Sequence, residues 1–81
     1  MNNGTPIRIL TLDRVGVVSE ITGICSGLGI GIRTHNARVV RGSRGEYLSD
    51  FRAVLDDTEP ETLHRLRCRL SHIKGLRRVE I

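Results

Sequence analysis

Two short stretches and one helix face hold the residues best suited to chemistry. Asp13-Arg14-Val15-Gly16-Val17 joins an apolar, β-branched run to a segment of helical spacing. Gly16 stands where that helix would begin, and there free backbone N–H groups and the positive end of the helix dipole can hold an anion such as a carboxylate. The same glycine could instead serve only to turn the loop. Asp13 is suited to neutralise a ligand's ammonium group or the Arg14 guanidinium, or to hydrogen-bond its own loop as an Asx turn. Arg14 has no apolar neighbour that demands it, and can project toward a partner or into solvent. His35 and Asn36 fall at an expected bulge on an edge strand. Bulges re-aim side chains at sites, but polar residues there also blunt an edge against unwanted pairing. Arg65, Arg69 and His72 recur at four- and three-residue spacing beside a leucine stripe; they make either a phosphate-gripping surface or an ordinary solvated helix face.

Other chemistries lack their residues. His35, His64, His72, Cys25 and Cys68 show no paired ligand spacing of the kind zinc sites need, so no metal is expected. No serine or cysteine comes with a nucleophile elbow and base. Gly27-Leu28-Gly29-Ile30-Gly31-Ile32 would close a helix, whereas a dinucleotide fingerprint opens one, and the third glycine is misplaced. The reading is a non-catalytic chain without a cofactor.

With 81 residues the chain can form one domain, and domains near this size bury roughly 60–65% of their unfolded surface. Tyr47 and Phe51 are its aromatics, so the core must come from Ile, Leu and Val. That suits a thin sheet packed on two helices better than a deep cavity. The net charge of +4 rests on arginines at 12 positions and one lysine. Guanidinium favours phosphate and carboxylate partners, nucleic acid among them, yet the charge forms no tail. Cys25 and Cys68 are expected to be reduced core thiols. Without a signal peptide or a long apolar run the chain reads as cytoplasmic, with no membrane contact.

Periodicity supplies the elements. Met1 to Thr5 is polar and is expected to be a disordered leader, with one domain over 6–81. Ile7, Ile9, Leu10 and Leu12 predict a first strand. Val17, Ile21, Ile24 and Leu28 predict a helix near 17–28, ended by glycines. Ile30 and Ile32 have the opposite parity to Ala37 and Val39, which predicts a bulge between Thr34 and Asn36. Arg41 to Gly45 should turn the chain into a third strand over Glu46 to Leu55, with Tyr47, Phe51, Ala53 and Leu55 inward. Thr58 and Glu61 predict a capping box, with Pro60 in the tolerant first turn of a helix near 59–73. Leu63, Leu66, Leu70 and Ile73 would be its buried stripe, and Leu76, Val79 and Ile81 a final strand. The order βαββαβ with right-handed crossovers predicts an α+β, ferredoxin-like sandwich: an antiparallel sheet of order 4-1-3-2 with both helices on one face.

Leu12-Asp13-Arg14-Val15-Gly16-Val17-Val18-Ser19-Glu20-Ile21-Thr22 resembles the opening of an ACT domain. The stretch from Gly29 to Arg38 is similar to the second strand of the ACT domain that ends RelA/SpoT-type enzymes, which make and hydrolyse ppGpp, and Ile73 to Val79 fits that family's closing pattern. Val15 departs from the small or polar residue often seen before the glycine. The resemblance implies a regulatory module of a GTP pyrophosphokinase and ppGpp hydrolase in the stringent response. It further implies a homodimer paired through the second strand and an amino-acid ligand near Asp13 to Val17 facing His35 and Asn36 of the other copy. Contacts with the parent's other domains and with ribosomal RNA complete that picture. Two rival readings stand: an amino-acid-sensing ACT domain of a biosynthetic enzyme, and a small RNA-binding module. The RNA-binding module is weakened by the missing aromatic signature of RRM sheets.

Overall fold

Alternation along the first strand, β1 (Thr5–Leu12), buries Ile7, Ile9 and Thr11 and turns Arg8, Leu10 and Leu12 the other way. The computed structural model describes residues 4–81; Met1, Asn2 and Asn3 of the expected leader lie outside the described residues, and Thr5 is already in the strand. The chain continues through α1 (Val17–Gly27), β2 (Ile32–Arg41), β3 (Tyr47–Leu55), α2 (Pro60–Leu70) and β4 (Leu76–Glu80). The sheet order is β2-β3-β1-β4 and every neighbouring pair is antiparallel, as the βαββαβ order predicts.

One face of the sheet takes both helices. Val17, Ile21 and Cys25 of α1 and Leu66 and Leu70 of α2 close over Ile7, Ile9, Phe51, Ala53 and Leu55. Spacings of three and four residues bring those helical side chains onto one stripe. Burial pushes the Cys25 thiol pKa up, whereas Cys68, expected in the core, is exposed on the outer side of α2.

Local details differ from the sequence reading where side chains compete for backbone partners. Glu59 is the N-cap of α2, and the Thr58 hydroxyl donates backward to the Asp56 carbonyl at 2.6 Å, so no capping box forms. The helix ends at Leu70; Ser71 to Gly75 turn tightly, with the Ile73 amide donating to the Leu70 carbonyl at 3.0 Å, and Ile73 still enters the core. The β2 bulge is at Arg33, between Ile32 and Thr34, earlier than expected. Tyr47 has the inward parity but lies beyond the helices and is exposed; its ring instead stacks under Arg41, 4.6 Å from the guanidinium carbon.

A second bulge interrupts β1 against β4: Leu10 pairs with Arg78 but Thr11 with Leu76, leaving Arg77 as the extra residue. Just before it Gly75 adopts φ +86°, and a Cβ there would lie 3.0 Å from that of Leu12. Leu66 is fully buried, so Leu66→Ala should lower unfolding free energy by about 2–4 kcal/mol in urea denaturation; a loss below about 0.5 kcal/mol would mean that α2 does not seal this core.

Candidate ligand loop and strand edge

Gly16 caps α1 in the left-handed conformation, φ 85°, which an L side chain would strain; a Cβ there would otherwise meet open space. The turn therefore accounts for the glycine. It also leaves an approach to the helix end: no side chain caps α1, the Val17 amide donates to the Arg14 carbonyl, and the amides of Val18 and Ser19 find no acceptor among the described residues. Such N–H groups are suited to a carboxylate. The Asp13 amide donates to the Tyr47 carbonyl at 3.0 Å, which fixes the loop to the start of β3. Its carboxylate makes no hydrogen bond among the described residues, so no Asx turn forms. Arg14, in the loop before the helix, turns its guanidinium toward Glu20 of α1 in an exposed pair. Val15, at the tip, is 100% exposed.

His35 and Asn36 are not beside this loop. The loop adjoins Tyr47, whose partner on β2 is Arg41, and six residues of strand put His35 about 20 Å further along. His35 faces the helix side, stacked on Phe51 at 5.7 Å between ring centres, while Asn36 faces the open side opposite Arg52. Neither lies in the bulge. Along β2 the helix-side positions His35, Ala37 and Val39 are all exposed, because the helices stop short of this edge. Arg65, Arg69 and His72 all face solvent, and Arg65 is turned toward Glu61 at 3.8 Å, an ordinary surface pair.

The open face holds what the sequence reading did not single out. Arg8, Arg38 and Arg52 converge on Asp50, at 3.0, 3.9 and 3.4 Å, and the Asp50 side chain is only 2% exposed. Hydrogen bonds from Arg8 hold the Asp50 carboxyl below the usual range; burial opposes them and Arg52 assists. The signal was present as arginines at even positions of β1, β2 and β3, which share one face. Toward the β2–β3 turn the same face opens into a cleft of about 680 Å³ with arginines around an apolar floor. Among the described residues no group of acidic, histidine and cysteine side chains could hold a metal, and no helix is long and apolar enough to cross a membrane.

No protein-family model and no curated protein matches the chain. Solved structures do. The crystal structure of the ACT domain from the GTP pyrophosphokinase of Chlorobium tepidum superposes with TM-score 0.75 at 24% identity, covering 99% of this chain and 97% of that one. The solution structure of the same domain gives 0.60 at 25% identity, over 93% and 80%. The C-terminal domain of the MgtC protein from Mycobacterium tuberculosis gives 0.64 at 19% identity, over 99% and 88%.

A depressed folded-state pKa means that Asp50 stabilises the fold above the ordinary carboxylate pKa of about 3.9 and stops doing so as pH falls through its lower folded value. Asp50→Asn should therefore cost about 1–3 kcal/mol at pH 7, and thermal melts should show the gap from wild type closing below about pH 4. A gap unchanged across that range would separate Asp50 from the acid response. The fold that carries this arrangement is that of an ACT domain, the one from a GTP pyrophosphokinase included.

Proposed function

We propose that the chain is a regulatory ACT domain which binds a free amino acid where two copies meet. The observation that carries this reading is the separation of the loop at Asp13 to Val17 from His35 and Asn36 within one copy. Antiparallel pairing of two β2 edges removes it: a two-fold axis crossing β2 near Arg38 lays Arg41 of one copy beside His35 of the other. The loop of each subunit then faces the His35 and Asn36 region of its mate. Such pairing satisfies the outer row of N–H and C=O groups on β2 and joins two sheets into one. It also offers cover to Val15 and to Val39, which is 55% exposed. Arg33 and Arg38, whose like charges would oppose the pairing, have in-chain carboxylates at 3.0 Å on Asp56 and 3.9 Å on Asp50.

In that dimer the amides of Val18 and Ser19 receive the ligand carboxylate and Asp13 its ammonium group, while Val15 offers an apolar contact. The domain works in the cytoplasm as the sensing part of a RelA/SpoT-type GTP pyrophosphokinase and ppGpp hydrolase. A ligand that favours one arrangement of the pair biases the parent's catalytic domains by at most its differential affinity. Similarity to the Chlorobium tepidum domain supports this choice of parent over an amino-acid biosynthetic enzyme. The chain itself turns over neither GTP with ATP nor ppGpp.

Sedimentation over rising protein and salt concentration should show a monomer–dimer equilibrium that strengthens as arginine charges are screened. Val39→Asp should shift it toward monomer. Titration of the free amino acids, followed by amide NMR, should move Asp13 to Ser19 in the wild type and move them less in Val39→Asp. A wild-type monomer at every concentration would remove the shared site, and unmoved loop amides would remove the ligand.

A further inference from the structure

The cleft on the open face lies on the side of the sheet away from the helices, and the amino-acid reading does not use it. Its floor is apolar, formed by Leu10, Leu48 and Val40, and its rim carries Arg8, Arg44 and Arg77. We propose that this cleft binds a compact, multiply charged phosphate: an oligophosphate chain, either free or borne by a nucleotide.

The strand bulge is the first reason. Regular alternation would turn Arg77 away from Arg78, yet Arg77 is the extra residue of β4 and lines the open-face cleft. Bulges re-aim side chains in this way, and do so next to sites. Charge is the second. Arg8 is committed to Asp50, and Arg41 stacks on Tyr47 while donating to its hydroxyl at 3.0 Å. The guanidinium groups of Arg44 and Arg77 form no ion pair among the described residues. Both act electrostatically on Glu46, whose carboxylate accepts from the Arg44 amide at 2.9 Å. Backbone hydrogen bonds, its own and that of Arg44, keep Glu46 ionised, and Arg77 and Arg44 add to this more weakly. Glu46 thus occupies the position that a phosphate oxygen would compete for. Guanidinium forks match phosphate bidentately, and arginines from separate strands can hold more than one phosphate. Size is the third: about 680 Å³ is room for a nucleotide-sized ligand.

The test is calorimetric titration of the chain with inorganic tripolyphosphate and with a nucleoside triphosphate, without divalent metal and at fixed ionic strength. Saturable binding is expected, weakened about tenfold by Arg44→Gln with Arg77→Gln, the loss of roughly one charge-assisted pair. Glu46→Gln, which keeps an acceptor for the Arg44 amide, should tighten it severalfold, and Arg67→Gln on α2 should leave it unchanged. Tighter binding of the nucleotide would show use of the apolar floor, and equal binding would identify the phosphate chain as the ligand. The proposal fails if neither titrant saturates, if Arg67→Gln weakens binding as much as the cleft variants, or if Glu46→Gln has no effect. It also fails if a short single-stranded RNA binds with affinity that grows with its length, which would make the face an extended polyanion surface.

Discussion

In the register of β1 against β3, Arg8 lies directly opposite Arg52, and Asn36 and Arg38 of β2 flank the same place. Like charges placed directly across a sheet repel, and here they do so on its two central strands. Asp50, one step along the same face, makes the pairing tolerable by accepting from both Arg8 and Arg52 while Arg38 closes the third side. Its burial comes from those three side chains lying over it, since the helices are on the other face. The arginine-rich strands can therefore leave one side of the sheet in water and still hold their register. The uncovered face follows from this: it is kept polar, ordered and basic by one internal carboxylate.

Much of the fold could be read from the order of apolar residues. Val17, Ile21 and Leu28 gave away α1 because three- and four-residue spacing has one structural meaning, and the parity change between Ile32 and Ala37 required an irregularity in β2. Its location at Arg33 could not be read, because Ala37 and Val39 lie on a part of the sheet that no helix covers, and so their burial does not pin the register. Thr58 illustrates a different gap. A hydroxyl at that position can serve the helix ahead or the turn behind it, and the strand exit at Asp56 took it.

The candidate site was legible residue by residue but not as an arrangement. Asp13 to Val17 stand at the head of α1 as expected, with the helix end uncapped. What spacing along the chain could not reveal is that His35 lies about 20 Å from the loop within one copy, since distance along β2 depends on which end of β3 the loop is tied to. The Arg77 bulge was equally hidden. It lies next to the place where Gly75 passes close to Leu12, a contact between residues far apart in the sequence, and β4 is out of register by one residue there.

The pairing of first and last strands also shapes how the molecule comes together. Joining β2 to β3 closes a turn of a few residues, whereas joining β1 to β4 brings Ile9 to Val79 and closes almost the whole chain. Loop-closure entropy makes the second event costlier by about 2 kcal/mol, so β4 is expected to dock after the hairpin and after β1 has met β3. Arg77 travels with it. On this entropic ground the strand that carries this arginine would be the last part of the sheet to form. Any ligand that grips Arg77 together with the hairpin would act as a clasp between the latest and the earliest parts of the fold to assemble.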